Sequence, residues 1–136
     1  MRVVIRNILF ALFALGLAVS CGKKKSISPL SEWMQDSGKV KVLSTIAQIG
    51  DLVTFIGGER VESWVLVPFE LDPHSYDLVK GDGEKLARAD RIFFNGLGLE
   101  HGASLSSYLR SNDKAVAVGE LIRRESPKEI FERNGT

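Results

Sequence analysis

Four short runs rich in β-branched, aromatic and other apolar residues, with helix-patterned stretches between them, predict an α/β fold. The expected architecture is a doubly wound, mostly parallel four-stranded sheet with helices on both faces. The runs are 39–45 (KVKVLST), 61–68 (VESWVLVP), 91–95 (RIFFN) and 114–119 (KAVAVG). Right-handed crossovers between parallel strands place the helices on both sides of the sheet. In such sheets ligands bind beyond the carboxyl ends of the strands, so the loops leaving those ends are where function is sought.

Ahead of the first strand, Arg2 and Arg6, an apolar run over 8–19 and small residues up to Cys21 form the three parts of a secretory signal. The run falls short of the roughly 20 apolar residues that span a bilayer. Ala18-Val19-Ser20-Cys21 resembles a bacterial lipobox, which makes Cys21 the lipidated first residue of the mature chain. The same residues also fit a plain cleaved signal with an incidental cysteine. Cys21 is the one cysteine of the chain, so an intramolecular disulfide is excluded. Lys23, Lys24 and Lys25 suit either an anionic lipid surface or a solvated tether. The expected organisation is a signal peptide over 1–20, a lipidated Cys and tether over 21–38, and one folded unit over 39–136. Without Arg2 and Arg6 the basic count falls from 18 to 16 against 17 acidic residues. That near-neutral balance, with no basic block in the body, argues against nucleic acid as a partner. About 115 residues suffice for a compact domain that buries roughly two thirds of its unfolded surface.

After the first strand, Thr45 and Gln48 have the spacing of a capping box. Ile46, Ile49, Leu52, Val53 and Ile56 then share one helical face, and Gly57-Gly58 stops the helix. Pro68 ends the second strand. A short helix over 82–90 follows the next loop, and Gly96 and Gly98 turn the chain after the third strand. Leu105, Tyr108 and Leu109 recur at helical spacing. Ser126, Pro127 and Glu129 have the form of a further helix start. Phe93 and Phe94 are expected in the core, and Trp64 and Tyr76 in the core or along the cleft rim.

The loop after the second strand, FELDPHSYD (69–77), carries His74, one of two histidines. Pro73 restricts its own φ and holds Asp72 extended, which stiffens the loop. Asp72 or Asp77 is close enough in sequence to accept the imidazole's second N–H, the support that metal-binding histidines commonly have. These residues alone leave three roles open for His74: metal ligand, catalytic base and structural loop residue. A hydrolase using His74 with Asp72 or Asp77 lacks a nucleophile elbow, a P-loop or a Gly-rich dinucleotide turn, and the chain is read as not an enzyme. A lipid-anchored adhesion or binding module that needs no metal is the alternative.

Three stretches in order, STIAQIGDLV, DPHSYD and LARADRIFFNGLGLE, resemble the N-terminal lobe of the metal-ion solute-binding lipoproteins of ABC transporters, the zinc, manganese and iron receptors of the cluster A-I type. The resemblance runs from about Lys39 to Val118. It implies one α/β lobe of a two-lobed receptor, with a divalent transition metal (Zn, Mn or Fe) as cargo, captured in the periplasm or at the cell surface for an ABC permease. It assigns the histidine of DPH, His74, as the first metal ligand. LVKGDG replaces the family's Pro-Thr-Pro stretch, which alters the loop and leaves the ligand in place. Segments like the family's second DPH-type loop, linking helix and second lobe are not recognised after Val118. The chain therefore resembles the N-terminal half of such a receptor, with a companion chain as one source of the other half. Glu100 matches the family's motif glutamate and is expected to cap or bracket the following helix. His101 follows it as an exposed residue near that helix's start, with no family role.

Overall fold

The computed structural model describes residues 28–129. The leader, Cys21, the lysine run and the end of the chain from 130 lie outside the described residues. Helix α1 (Pro29–Trp33) opens the fold. The Ser28 Oγ accepts from the Ser31 N–H at 3.2 Å, and Pro29 takes the first helical position. This segment was expected to be tether. It is instead tied into the fold by Trp33, which is 5% exposed and donates from Nε1 to the Glu62 carbonyl at 3.0 Å.

Strand β1 (Val40–Ser44), helix α2 (Ala47–Gly57), a 3-10 turn (Gly58–Arg60) and strand β2 (Val61–Val65) come next. After the His74 loop come α3 (Asp82–Arg88), β3 (Arg91–Phe94), α4 (Ala103–Ser111), β4 (Ala115–Ala117), α5 (Val118–Glu125) and a 3-10 turn (Pro127–Glu129). The four strands form one parallel sheet in the order β2-β1-β3-β4. Leu43 is in register with Trp64 on one side and Ile92 on the other, and Ile92 with Ala115.

One face of the sheet carries the main core. Leu43 and Ile92 are fully buried there against Leu86 of α3, Leu105 and Leu109 of α4, and Trp33 of α1. Each such burial contributes about 1.5–3 kcal/mol. Helix α2 covers the opposite face, where Gly50 meets the side chains of Ser44, Ser63 and Val65. Those residues alternate along the strands with Leu43 and Trp64, as the two faces of a pleated sheet require. Helices thus lie on both faces, as the sequence predicts.

Three local expectations change. Thr45 and Gln48 form no capping box: Ile46 is the cap residue and makes no side-chain cap bond. The expected apolar face of α2 is only partly used. Ile49 is buried, whereas Leu52 is 57% and Ile56 72% exposed, because α2 meets the sheet along a narrow line through Ile49 and Gly50. Val118 and Gly119 belong to α5 rather than to the fourth strand; Ser126 closes that helix, a 3-10 turn (Pro127–Glu129) follows it, and the rest of the expected final helix lies outside the described residues.

Candidate metal centre

The connections diverge at β1 and β3: β1 leads outward to β2, and β3 leads outward to β4. The gap beyond the carboxyl ends of β1 and β3 is therefore the topological switch point of the sheet. It is filled from within. Glu100, 6% exposed, accepts at Oε1 from Thr45 Oγ1 at 2.7 Å and from the Asn95 N–H at 2.8 Å, and at Oε2 from the Gly96 N–H at 3.0 Å. Its partners come from the ends of both central strands. Glu100 therefore brackets the loop after β3, not helix α4 as the sequence suggested, and it explains why the Thr45 hydroxyl is missing from the α2 cap. The loop reaches this position through Gly96, Leu97 and Gly98, three consecutive residues with positive φ (70°, 53° and 80°).

His74 lies on the neighbouring loop, beyond the carboxyl end of β2, and is exposed. Its backbone N–H donates to Asp72 Oδ1 at 3.0 Å, and the Ser75 N–H and Oγ–H both donate to the Asp72 carbonyl. This Asx-type turn fixes the backbone on either side of the histidine. Asp72 is thus committed to the amide of His74, not to its imidazole. Asp77 does not back the imidazole either: Oδ1 accepts from the Ser104 N–H at 2.9 Å and from Ser104 Oγ at 2.8 Å. Those two donors hold the Asp77 carboxyl below its usual range.

Two further groups hold the loop's exit. Tyr76 is buried, and its hydroxyl donates to Asp82 Oδ2 at 2.6 Å. Burial and the neighbouring Asp82 carboxylate push the Tyr76 phenol up to about 12. Burial works to raise the Asp82 carboxyl, but donation from Tyr76, Lys85 and the Val79 N–H outweighs it and leaves the group below the usual range. Tyr76 is core, one of the two positions open to it in the sequence. Trp64 packs on the rim of that core, its ring 6.0 Å from that of Trp33.

The Asp77–Ser104 contact binds the His74 loop to the first turn of α4. A second contact is tighter still. A Cβ on Gly102 would stand 1.8 Å from the Tyr76 carbonyl oxygen, so only glycine lets the two backbones approach this closely. His101, directly before Gly102, is thereby carried to His74. The ring centroids are 5.8 Å apart, with planes 22° from parallel. Sequence reasoning gave His101 no role, because nothing local signals a neighbour on another loop. The one usable hint is the Glu-His-Gly order, an exposed-type residue between two that the fold buries. Among the described residues no group of three or more His, Cys, Asp and Glu is placed to hold a metal ion.

The geometry can be compared with known proteins. The zinc-uptake complex component A periplasmic family matches residues 42–134. The metal-binding protein YtgA of Chlamydia trachomatis is 38% identical over 116 residues, covering 85% of this chain and 34% of YtgA. The crystal structure of Fe(III)-bound YtgA from that organism superposes with a TM-score of 0.65 at 41% identity, over 71% of this chain and 34% of that one. The periplasmic zinc binding protein TroA from Treponema pallidum gives a TM-score of 0.57 at 39% identity, over 65% of this chain and 32% of TroA. The metal ABC transporter substrate-binding lipoprotein SsaB of Streptococcus sanguinis is 34% identical over 93 residues, 68% of this chain and 28% of SsaB. The chain spans about a third of the length of these relatives. With a parallel four-stranded lobe of the same kind and a family match over most of its length, the chain belongs to the zinc-uptake complex component A periplasmic family.

Proposed function

We propose that the chain is the N-terminal lobe of the substrate-binding component of a metal-ion ABC importer. It captures a divalent transition metal outside the inner membrane for an ABC permease, and His74 is its first metal ligand. The observation that carries this reading is the placement of His74: an exposed imidazole beyond the carboxyl edge of a parallel sheet, on a loop fixed by Asp72, Tyr76 and Asp77. Names of relatives support a transition metal as cargo, since TroA is called zinc binding and SsaB is a metal ABC transporter lipoprotein, while YtgA, described with Fe(III), extends the class to a trivalent ion. A single imidazole does not choose among transition metals, and the ligands that would discriminate zinc and iron from manganese are not among the described residues, so the metal is proposed as a class. The lipoprotein name of SsaB also supports the lipobox reading, with Cys21 lipidated after removal of 1–20 and the lobe held at a membrane surface. The folded lobe begins before 39, with α1 (Pro29–Trp33) packed on it through Trp33. The metal is cargo, and completing a tight site takes further ligands from outside the described residues, in a second lobe or a companion chain.

Structural metal sites use about four protein ligands and catalytic ones about three. An isolated lobe with one or two imidazoles therefore binds Zn²⁺ at roughly 10 µM to 1 mM, about −7 to −4 kcal/mol. Calorimetric titration at neutral pH tests this. Binding is expected to fall in His74→Ala, and binding left unchanged by that substitution removes the ligand assignment.

A further inference from the structure

We propose that His101 is a second metal-contacting group, forming with His74 a two-imidazole pincer that takes a divalent transition metal from solvent. The inference rests on the reading of His74 as a ligand and adds a residue to which neither the resemblance nor the sequence pattern gave a role. Distance is the first argument. Two imidazoles on a tetrahedral ion, with metal–nitrogen bonds of about 2.0–2.1 Å, have ring centres roughly 5 Å apart. The observed separation is 5.8 Å. Rotation of the side chains closes that gap and turns both nitrogens toward one point. Both residues are exposed, which leaves room for the rotation.

Preorganisation is the second argument. Each histidine sits on a backbone held on both sides. His74 lies between the Asp72 turn and buried Tyr76. His101 lies between buried Glu100, with its three donors, and buried Gly102, against the Tyr76 carbonyl. The Leu78 N–H donates to Ser104 Oγ at 2.9 Å, which in turn donates to Asp77, so the two loops are joined just beyond the histidines. A pair of ligands held this way loses little freedom on binding. The third argument is that nearby carboxylates are committed elsewhere: Asp72 to an amide, Asp77 to Ser104, and Glu100 to Thr45 and two amides. The two imidazoles remain exposed on this edge and open to an ion.

The chain has two histidines, so every imidazole signal belongs to His74 or His101. The full chain, purified without a histidine tag, is titrated with Zn²⁺ alone at neutral pH and followed by calorimetry and by imidazole nuclear magnetic resonance. Both imidazoles are expected to shift together and saturate at one Zn²⁺ per chain. His101→Ala should weaken binding by at least the roughly 10–100-fold that loss of an outer-shell partner costs a metal site. His101→Glu, which returns an oxygen ligand, should recover part of it. A shift confined to His74, with His101→Ala binding as tightly as the parent, overturns the pincer and leaves the His74 reading standing. Binding that ignores His74→Ala overturns both. An affinity that rises with protein concentration joins imidazoles of two copies, and overturns a pincer within one chain.

Discussion

The amino and carboxyl edges of the sheet both hold buried charge, but they use it differently. At the amino edge, Lys41 is 1% exposed and its ammonium is paired with Glu62 and donates to Ser37 Oγ at 3.2 Å, 6.0 Å from the Trp33 ring. Asp90 closes the same edge by accepting from the Lys41 N–H at 2.8 Å. The Lys41, Glu62 and Asp90 charges there end on other elements of the lobe. At the carboxyl edge the buried carboxylates, Glu100 and Asp82, accept from amides, hydroxyls and a lysine, and they fix loops whose histidines stay exposed. The difference is between charge that completes a fold and charge that positions something outside it. Altering the amino edge should therefore change stability alone, and altering the carboxyl edge should change stability and metal response together.

Glu100→Ala is expected to have the largest effect. It leaves the Thr45 hydroxyl and the Asn95 and Gly96 N–H groups without their acceptor at a buried junction of two strands. Losing charged hydrogen bonds and orphaning their donors should cost about 3 kcal/mol. It should also loosen the backbone before His101 and weaken Zn²⁺ binding. Urea unfolding and calorimetry on one preparation check the two together. A variant as stable as the parent, or a destabilised one with unaltered Zn²⁺ affinity, breaks the distinction between the edges.

Lys41→Met is the matching substitution at the amino edge. Methionine keeps most of the buried stem, and the partner left behind, Glu62, is 26% exposed and so retains solvent. Removing one partner of a buried ion pair is costly where the other is left desolvated, but Glu62 keeps solvent, so a loss of about 1–2 kcal/mol is expected. The Lys41 hydrogen bond holds the Glu62 carboxyl below its usual range, and in the variant that carboxyl should titrate higher. Zn²⁺ affinity should not change. An affinity that falls with Lys41→Met would show that the edges are coupled through β1.

The strands were legible because β-branched, aromatic and other apolar runs such as KVKVLST and RIFFN have few other ways to bury their side chains. The His74 loop was legible because Pro73 and Asp72 act on their immediate neighbours. What was not legible depends on partners distant in sequence. Thr45 has the form of a helix cap, but its hydroxyl is taken by Glu100. Helix α1 is a single short turn of chain, and Trp33 holds it by bonding to the Glu62 carbonyl. Helix α5 begins in the middle of an apolar run, where Val118 and Gly119 read as more strand, and its Leu121 and Ile122 stay partly exposed. His101 becomes informative only because Gly102 allows contact with Tyr76, and no local periodicity encodes that contact.

Tyr76→Phe is the smallest perturbation and tests one bond beneath the carboxyl edge. It removes the donor to Asp82 and keeps the ring in the core, at a cost of about 1 kcal/mol near neutral pH. The bond also predicts how that cost varies with pH. The phenol is raised to about 12 in the folded chain, from about 10 when unfolded. A group whose folded value is raised contributes its full stability below the unfolded value and loses it as pH rises through the folded one. The parent's advantage over Tyr76→Phe should thus be level up to about pH 10 and shrink between about 10 and 12. Asp82 sets the acid side. Its folded value is lowered, so its contribution is present above the usual carboxylate range and fades as pH falls through the folded value. The chain has two tyrosines, so an ultraviolet titration separates the phenols directly. Tyr76→Phe should delete the phenol that ionises at about 12. A Tyr76 phenol that ionises near 10 would lie in solvent, and the support under the His74 loop would then have to come from Asp77 and Gly102 alone.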